Sequence, residues 1–430
     1  MNSAAAPSRA LSSRRGFLRN ACVAAGGWLA LPTIVPAAVV GRGGSAPPSE
    51  RIVMGGFGIG PRGSSVLSVM IREPVVQFVA VSDPQAARRE AVKKTTDEFY
   101  GNRDCRTYHD FREMLARPDI DALLIATGDR WHAMASILTA KAGKDMYCEK
   151  PFSLTIQESL DLAAAVRRYG RVFQAGTQRR SVGNFVFAAD LARTGKLGKL
   201  HTVHANTLDP ATTHDWLPEE ALPSKAECDW DLWLGTTPWR PFNRQYVQGG
   251  WRGFFDFHGG GILEWGSHTI DQCQWANDAD DTVPIEYQPT EDGCIARYAN
   301  GVRLVMRPTG WLGLGTCSVR FEGDDGWVET GDGGEALTHP ESLRAGRRIT
   351  GESVGLPANH IRNFLECVRT RAQPAANANV ACQSHIASHA AYIAWQLKRT
   401  LRYDEKKNEF IGDVEANRMR ARALREPWHV

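Results

Sequence analysis

Residues 51–63 read Arg-Ile-Val-Met-Gly-Gly-Phe-Gly-Ile-Gly-Pro-Arg-Gly, a short apolar run that enters a glycine cluster. The pattern Gly58-x-Gly60-x-x-Gly63 follows a predicted strand directly and opens a predicted helix. In such a turn the first glycine permits the tight bend, the second lets the backbone approach a pyrophosphate, and the third lets the helix pack on the strand. The N-terminus of the helix then offers its N–H groups to the phosphates. The stretch therefore predicts a dinucleotide-binding turn, in which Arg62 also takes part.

An acidic residue at the end of the second apolar run supports this interpretation. Asp83 lies 20 residues after Gly63. A carboxylate at that place accepts hydrogen bonds from a ribose diol and repels a 2′-phosphate, so it favours NAD over NADP. The neighbouring Arg88 and Arg89 weaken the preference and leave NADP open.

Apolar runs and helical segments alternate over the first part of the chain. Such alternation indicates an α/β fold, with a parallel sheet that helices cover on both faces. After residue 176 the pattern changes to long loops rich in Trp, Pro and Gly, followed by strand-like runs and C-terminal helices. We therefore predict a Rossmann dinucleotide-binding domain over residues 51–176 and an α/β substrate domain with an open mixed sheet over residues 177–430. The segments are strands at 51–57, 75–81, 122–126, 145–148, 294–298 and 302–306, and helices at 84–100, 111–116, 131–142, 155–169, 359–371 and 385–402.

The N-terminus has the features of a targeting segment. Residues 13–19 read Ser-Arg-Arg-Gly-Phe-Leu-Arg, a twin-arginine pattern, and residues 20–40 are weakly apolar but interrupted by Gly and Pro. A membrane span needs about 20 mostly apolar residues, so a signal segment explains the run better than a span does. We predict a twin-arginine signal over residues 1–40, a linker over 41–50, and a periplasmic or otherwise exported protein. An uncleaved anchor remains the alternative.

Charge and cysteine content exclude several classes of protein. The 430 residues carry a formal charge of +3, but five Arg and one Glu lie in the first 50 residues, which leaves the remainder at −1. Residues 51–430 therefore lack the excess of basic charge that is typical of a nucleic-acid-binding protein. None of the nine Cys forms a C-x-x-C pair, so neither a zinc knuckle nor a redox motif is expected. His385 and His389 are four residues apart on a predicted helix, but without a nearby acidic ligand they do not indicate a metal site.

A second motif lies at the end of the fourth predicted strand. Residues 148–151 read Cys-Glu-Lys-Pro, at the edge of the sheet where open parallel sheets bind ligands. With this motif, the chain resembles the glucose–fructose oxidoreductase / inositol dehydrogenase / MocA (Gfo/Idh/MocA) family. The other segments that carry the resemblance are the glycine turn, Trp131-His132, the stretch 176–180, the loop 251–268 and the closing segment 413–428. The resemblance implies a Rossmann domain, a second α/β domain that often forms an oligomer interface, and redox chemistry at a sugar or polyol hydroxyl carbon.

The resemblance also implies roles for three residues around this motif. It places Lys150 near the nicotinamide and the substrate, and a cation beside a reacting hydroxyl orients it and lowers its pKa. Glu149 is expected to contact the cofactor. The role of His132 has two interpretations: it contacts the cofactor, or it caps its own helix.

A third group of candidate site residues follows a run of three glycines at residues 259–261. If the segment after Gly261 is helical, Glu264 and His268 are neighbours on one face, and Asp271 lies three positions further on. A carboxylate beside an imidazole fixes its tautomer and raises its basicity, as a general base for an alcohol requires. The family usually has Asp where this chain has Glu264, whose side chain is one methylene longer. We expect His268 to act as the base.

Several polar and aromatic side chains suit the recognition of sugar hydroxyls and rings. The predicted substrate contacts are Arg180, Trp251, Arg252, Asp256, His258 and Asp271. No metal ion is expected.

These features predict an NAD(P)-dependent oxidoreductase that acts on a hydroxyl carbon of a sugar or polyol. Because free NAD is not expected outside the cytoplasm, an exported enzyme would retain its cofactor and run a redox-neutral cycle. One alternative is an NAD-dependent glycosidase that works by transient oxidation and elimination, although a Tyr-Pro-Thr-His-Gly stretch found in one exported branch of the family is missing. A sugar-binding protein with low turnover is the second alternative. The expected partners are the small-molecule substrate, the twin-arginine export machinery and further copies of the chain, as a dimer or a tetramer.

Overall fold

The computed structural model describes residues 47, 50–208, 215–308, 310–346, 349 and 358–429. The predicted signal over residues 1–40 lies outside the described residues, as does most of the linker over 41–50. Residues 51–430 form one compact unit. Within the described part of the chain, no helix combines the length and the apolar character that a membrane crossing would need.

The first sheet has six parallel strands in the order β3-β2-β1-β4-β5-β6. Its central strands are almost wholly buried, as expected for a parallel sheet that helices cover on both faces. Because all six strands run the same way, the glycine turn, Asp83 and Lys150 all follow carboxyl ends at one edge. The strands are β1 (Ile52–Phe57), β2 (Val76–Ser82), β3 (Arg106–Tyr108), β4 (Ala122–Ile125), β5 (Asp145–Cys148) and β6 (Phe173–Ala175).

Five helices connect these strands, and one of them, α5, has a recognisable cap at each end. Helix α5 begins after Thr155, whose side chain accepts a hydrogen bond from the Glu158 N–H, and it ends at Gly170 in the left-handed region. The helices are α1 (Pro61–Met70), α2 (Ala86–Tyr100), α3 (Phe111–Leu115), α4 (Asp129–Lys141) and α5 (Ile156–Tyr169).

The second sheet has nine strands in the order β13-β12-β11-β7-β10-β9-β8-β14-β15. It is mixed, because β7 and β10 pair in parallel whereas the other neighbours are antiparallel. The strands are β7 (Leu200–Thr207), β8 (Glu286–Pro289), β9 (Cys294–Arg297), β10 (Arg303–Pro308), β11 (Val319–Gly323), β12 (Gly326–Thr330), β13 (Ala336–His339), β14 (Leu401–Asp404) and β15 (Glu409–Phe410). The predicted α/β class with a second mixed sheet is confirmed.

Helices of the second part connect the two sheets. Helix α8 packs on β7 and on α10, and α10 also packs on α5 of the first sheet. The first turn of α8 is thereby held beside the carboxyl edge of the first sheet. These helices are α6 (Gly183–Arg193), α7 (Trp230–Leu234), α8 (Gly261–Ala276), α9 (Ala358–Thr370), α10 (Ala378–Leu397) and α11 (Val414–Arg418).

The Trp-rich loops form a separate small hydrophobic cluster that precedes α8. Its buried members are mostly aromatic and stack on one another, for example Trp230 on Trp233 with ring centroids 4.7 Å apart. The members are Trp230, Trp233, Leu234, Phe242, Tyr246, Phe254 and Phe257.

Two features of the predicted secondary structure need correction. Helix α10 begins at Ala378 and ends at Leu397, where Lys398 adopts the left-handed region, and β14 follows. The predicted helix over 385–402 therefore starts too late and runs into a strand. Strands β3 and β6, each of three residues, were not predicted.

Candidate active site

The glycine turn has the geometry that the motif predicts. Gly58 has φ +66°, and a Cβ atom there would lie 2.3 Å from Thr127 Cγ2. A Cβ atom on Gly63 would lie 2.7 Å from Ala126 Cβ, so this glycine lets α1 pack against the end of β4. Gly60 is the N-cap of α1 and has no capping side chain. The turn therefore leaves the N-terminus of the helix accessible to the phosphates of a dinucleotide.

Asp83 is buried directly after β2, and its carboxylate accepts a hydrogen bond from the Gln85 N–H at 2.8 Å. Burial raises the pKa of the Asp83 carboxyl, against the opposing charges of Arg88 and Arg89. Both arginines donate to carbonyl oxygens, Arg88 to Val247 O and Arg89 to Asp83 O. The preference for NAD over NADP stays a prediction.

Two of the residues that are predicted to contact the cofactor form an ion pair with each other. Arg62 Nε lies 3.1 Å from Glu149 Oε1, across the boundary between α1 and the segment after β5. Glu149 is buried, and Gly176 packs so closely that a Cβ atom there would lie 2.9 Å from its carboxyl carbon. Glu149 therefore ties the glycine turn to the segment that carries Lys150.

His132 lies in α4 and contacts the same segment. Its Nδ1–H donates to the Pro151 carbonyl at 2.6 Å, and burial lowers the pKa of the imidazole to about 4. Helix α4 has Gly128 as its N-cap. His132 does not cap its own helix, which corrects one of the two interpretations; as a neutral imidazole it anchors the turn after Lys150.

Lys150 is paired with Glu264. Its Nζ atom lies 2.9 Å from Glu264 Oε1 and 2.9 Å from the Glu264 carbonyl oxygen, and both side chains are 16% exposed. Burial by itself would raise the pKa of the Glu264 carboxyl, but Lys150, the hydrogen bond from His258 and Arg252 hold it well below its ordinary value. The pair combines an ammonium group fixed in position with a carboxylate that stays ionised.

His268 does not contact Glu264 as the spacing suggests. Both residues lie on α8, but the Glu264 carboxylate reaches Lys150 and His258 instead, because the Lys150 cation attracts it and the Nε2–H of His258 donates to it. His268 Nδ1 is buried and has no hydrogen-bond partner among the described residues. Burial lowers the pKa of His268 well below its ordinary value, and the charges of Arg179 and Lys150 add to this. His268 is therefore a neutral imidazole with an unsatisfied atom.

Arg180 and Asp271 form a buried ion pair. Arg180 Nε lies 2.7 Å from Asp271 Oδ2, and a second carboxylate, Asp280, lies 2.7 Å from Nη2. The Arg180 side chain is 2% exposed and that of Asp271 is 1% exposed. Because their polar atoms are bonded to each other and to Asp280, the pair fits a structural role, and the contact of these two residues with substrate stays a prediction.

Asp256 is likewise engaged elsewhere, since Arg240 binds its carboxylate at 2.8 Å. The contact of Asp256 with substrate stays a prediction. The other predicted contacts cluster around Glu264. His258 Nε2 lies 3.1 Å from Glu264 Oε2, Arg252 Nε lies 3.5 Å from the same oxygen, and the Trp251 ring lies edge-on to His258.

The sequence analysis missed Asp129, Arg130 and Arg179, which are buried charged residues of this region. Asp129 is the first residue of α4, and its Oδ2 lies 3.9 Å from His258 Nε2. Arg179 binds Asp332, while its Nη1 has no partner within the described part of the chain. The available signal for Asp129 was its place just after β4, at the carboxyl edge of the sheet.

Asp129, His258 and Glu264 each have an atom that could bind a metal ion, and these atoms lie within 4.8 Å of one another. His258 Nδ1 accepts a hydrogen bond from the Gly253 N–H, so the proton of the neutral ring is on Nε2, the atom that faces the carboxylates. That nitrogen therefore has no lone pair for a cation, and Lys150 already neutralises Glu264. The donor set fits a hydrogen-bonded cluster better than a metal ion. His385 and His389 are buried and bonded to Ala381 O and Ser153 Oγ.

Two family models match this chain. A model described as oxidoreductase family, NAD-binding Rossmann fold, matches residues 51–177. A model of the C-terminal alpha/beta domain of the same family matches residues 211–305 and 339–430. The two models cover the first sheet, part of the second sheet, and the segments that carry Lys150 and Glu264.

Individual relatives agree with these models. The uncharacterized oxidoreductase YrbE of Bacillus subtilis is 31% identical over 162 residues, which are 38% of this chain and 46% of that protein. The rhizopine catabolism protein MocA of Rhizobium meliloti is 26% identical over 283 residues, which are 65% of this chain and 75% of that protein. The match to YrbE thus spans less than half of that relative.

Among solved structures, the aldose-aldose oxidoreductase of Caulobacter crescentus has the same fold, with a TM-score of 0.58 and 18% identity over 82% of this chain and 99% of that one. The glycine turn, the position of Lys150 after β5 and both family models lead to one assignment. The chain belongs to the Gfo/Idh/MocA oxidoreductase family, with an NAD-binding Rossmann fold and a second α/β domain.

Proposed function

We propose that the protein transfers hydride between a nicotinamide dinucleotide and a hydroxyl carbon of a sugar or polyol. The observation that carries the proposal is the Lys150–Glu264 pair at the carboxyl edge of the first sheet, beside the glycine turn. A fixed ammonium group at that edge orients a hydroxyl and stabilises its oxygen as the proton leaves.

The residues of the glycine turn fit a dinucleotide. Gly58 and Gly63 are positions where a Cβ atom would collide with Thr127 and Ala126, and Gly60 leaves α1 without a capping side chain. A cleft of about 290 Å³ runs from Gly60 and Pro61 to Arg88 and Thr95. The pyrophosphate would lie at the N-terminus of α1 and the adenosine ribose near Asp83. When bound, the nicotinamide supplies the hydride acceptor and donor.

Buried polar atoms of the segment after β6 and of α8 fit a neutral, hydroxyl-rich substrate. His268 Nδ1, Arg179 Nη1 and Thr177 Oγ1 have no partner in the described ranges, and unsatisfied buried groups of this kind are usually bonded to a ligand or to water. The Arg179 charge is already neutralised by Asp332, so its remaining N–H favours a hydroxyl over a carboxylate. Neutral His268 can accept the hydroxyl proton, as a general base must.

We further propose that the cofactor stays bound through a redox-neutral cycle, in which one sugar is oxidised and a second is reduced. This proposal rests on the twin-arginine pattern at residues 13–19, since that route exports folded proteins with their cofactors in place. The name of the Caulobacter protein of the same fold, an aldose-aldose oxidoreductase, describes this kind of coupling. NAD is the expected cofactor, and assembly into a dimer or tetramer is a further expectation that light scattering can test.

The experiment that tests the function starts from the mature protein. Absorbance and mass spectrometry identify the nucleotide that co-purifies with it, and a panel of free sugars, polyols and glycosides is then incubated without added cofactor. A keto-sugar together with a reduced sugar supports the proposal. A released monosaccharide supports the glycosidase alternative, and unchanged sugars with measurable binding support the low-turnover binding protein. Lys150→Ala is the control, and it should retain nucleotide without forming product.

Export has its own test. Replacing Arg14 and Arg15 together with Lys conserves charge but removes the pair that the export receptor reads. The variant should stay in the cytoplasm, whereas the parent should reach the periplasm with nucleotide that dialysis does not remove. Periplasmic parent protein that arrives empty and needs excess NAD would refute the redox-neutral cycle.

A further inference from the structure

The Lys150–Glu264 pair is backed by two buried side chains that come from different parts of the chain. Glu264 Oε2 lies 3.1 Å from His258 Nε2, and the same nitrogen lies 3.9 Å from Asp129 Oδ2. Asp129 and His258 are 3% and 6% exposed. The Asp129 carboxylate also faces the Gly259 N–H at 3.4 Å. One imidazole nitrogen therefore stands between two carboxyl groups.

The backbone decides which nitrogen of His258 carries the proton. The Gly253 N–H donates to Nδ1 at 3.2 Å, so Nδ1 must keep its lone pair and the neutral ring carries its hydrogen on Nε2. Two carboxyl groups therefore compete for a single N–H. In the structure Glu264 holds it, since the distance to Glu264 is 0.8 Å shorter than the distance to Asp129.

The charges around the cluster make its two carboxyl groups unequal. Burial raises the pKa of Asp129 to about 6, against the opposing effect of His258, and the Glu264 charge raises it further. The pKa of Glu264, despite its own burial, is held well below its ordinary value by Lys150 and its other donors. Asp129 therefore changes its charge near neutral pH while Glu264 stays ionised. The titratable and charged groups that face Asp129 are His258, Glu264, Lys150, Arg252, Arg130 and Cys148.

We propose that Asp129 and His258 are positioning residues for the Lys150–Glu264 pair, in which His258 gives its single Nε2–H to Glu264 or to Asp129 according to the protonation of Asp129. This inference rests on the proposed function for its effect on turnover. When Asp129 is protonated, Glu264 receives the N–H and its negative charge toward Lys150 is partly neutralised. When Asp129 is ionised, it draws the N–H away, and Glu264 turns its full charge toward Lys150. The ammonium group is then held more firmly in the position from which it orients the hydroxyl, and turnover is faster.

The first test needs no substrate. The full chain with its bound nucleotide is labelled with ¹³C in the aspartate side-chain carboxyl groups, and its infrared spectrum is recorded between pH 4.5 and 8. A carboxylic-acid C=O band that disappears near pH 6 should be absent from Asp129→Asn. The matched control is Asp145→Asn, which removes a buried aspartate at the start of β5, on the opposite edge of the first sheet from Asp129, and it should keep the band. A band that persists in Asp129→Asn refutes the inference, whatever the enzyme turns out to do.

The second test uses turnover. In the parent, kcat should rise with pH through an inflection near 6, and in Asp129→Asn it should be flat and about tenfold lower at pH 7.5. His258→Gln is the second variant, because an amide NH₂ group can donate to both carboxylates at once. It should keep Glu264 in place yet lose the inflection, while KM changes less than kcat. An inflection that survives in both variants refutes the inference.

Added Zn²⁺ provides a third outcome. If the parent binds one Zn²⁺ tightly and Asp129→Asn does not, the cluster is a metal site and the positioning role is refuted. If the infrared band behaves as expected but none of the sugars is converted, the proposed function fails and the shared proton stands.

Discussion

The ammonium group of Lys150 lies 2.9 Å from the carboxylate of Glu264, a residue 114 positions further along the chain. Lys150 follows β5 of the first sheet, and Glu264 lies in the first turn of α8, which packs on the second sheet. The pair therefore joins the dinucleotide-binding part of the fold to the part expected to hold the substrate.

Removing Lys150 should abolish most of the turnover. We expect Lys150→Ala and His268→Ala each to lower kcat by about 10²–10⁴-fold, the usual contribution of an acid–base group. Lys150→Ala should be at least as damaging, because it loses orientation as well as charge. Both variants should retain nucleotide, measured by absorbance after gel filtration. Near-normal kcat in both would remove these residues from the mechanism.

Glu264 should matter through its charge and its length. Glu264→Gln puts an NH₂ group or a neutral oxygen against His258 and Lys150, and a hydrogen bond to a charged group is worth about 1.5–3 kcal/mol. We expect kcat to fall by about 10- to 100-fold. Glu264→Asp introduces the residue usual in the family, whose side chain is shorter by one methylene. The kcat of this variant should also fall. Glu220→Gln, which removes an exposed partner of Arg244, is the control and should leave kcat unchanged. An unimpaired Glu264→Gln would mean that Lys150 does not depend on this carboxylate.

The glycine turn allows the cost of backbone strain to be separated from the cost of a steric collision at Cβ. Gly58 and Gly101 have almost the same backbone angle, with φ +66° and +65°, but only at Gly58 would a Cβ atom meet neighbours. Gly101→Ala should cost about 1–2 kcal/mol of unfolding free energy and leave nucleotide binding intact. Gly58→Ala should in addition abolish nucleotide retention, because Thr127 would have to move. Equal nucleotide binding in the two variants would contradict the role of the turn.

Asp83 should determine the choice of dinucleotide. In Asp83→Ser the hydroxyl can still accept the hydrogen bond from the Gln85 N–H, so the local turn survives while the negative charge is removed. We expect the ratio of NADP to NAD affinity to rise, measured by calorimetric titration of the apoprotein. Asp104→Ser, at an exposed position of the same part of the chain, should leave the ratio unchanged. Tighter binding of NADP than of NAD by the parent would show that Asp83 does not play this part.

Arg180 should contribute to stability and not to substrate affinity. Arg180→Leu leaves Asp271 buried without its partner, which typically costs about 3–5 kcal/mol. Arg193→Leu removes an exposed pair with Asp278 and should cost less than about 1 kcal/mol. Urea unfolding of both variants gives the difference. A stable Arg180→Leu protein with a raised KM would return Arg180 to the substrate site.

Much of the fold and part of the site follow from the order of residues. The glycine turn, the runs that form β1, β2, β4 and β5, and the end of α5 at Gly170 are local patterns, since each depends on residues within one turn or strand. Strands β3 and β6 lack such a pattern because three residues are too few to show one. Helix α10 ends at Leu397, and the residue after it is Lys398 rather than a Gly or Pro that would mark the stop, so its end could not be placed from the sequence.

The partners of the charged side chains depended on the tertiary structure. Spacing on α8 places Glu264 near His268, but packing against the first sheet brings Lys150 and His258 within reach, and the ion pair prevails. Arg180 and Asp271 have residue types that suit a sugar site, yet both are buried against each other. Asp129 gains its position only because α4 and the loop before α8 meet. The segments that form strands, turns and the dinucleotide-binding turn follow from the order of residues, because they depend on local sterics and apolar periodicity. The pairing of charges follows from the packing instead, because Coulomb attraction and burial depend on distance in space and not on separation along the chain.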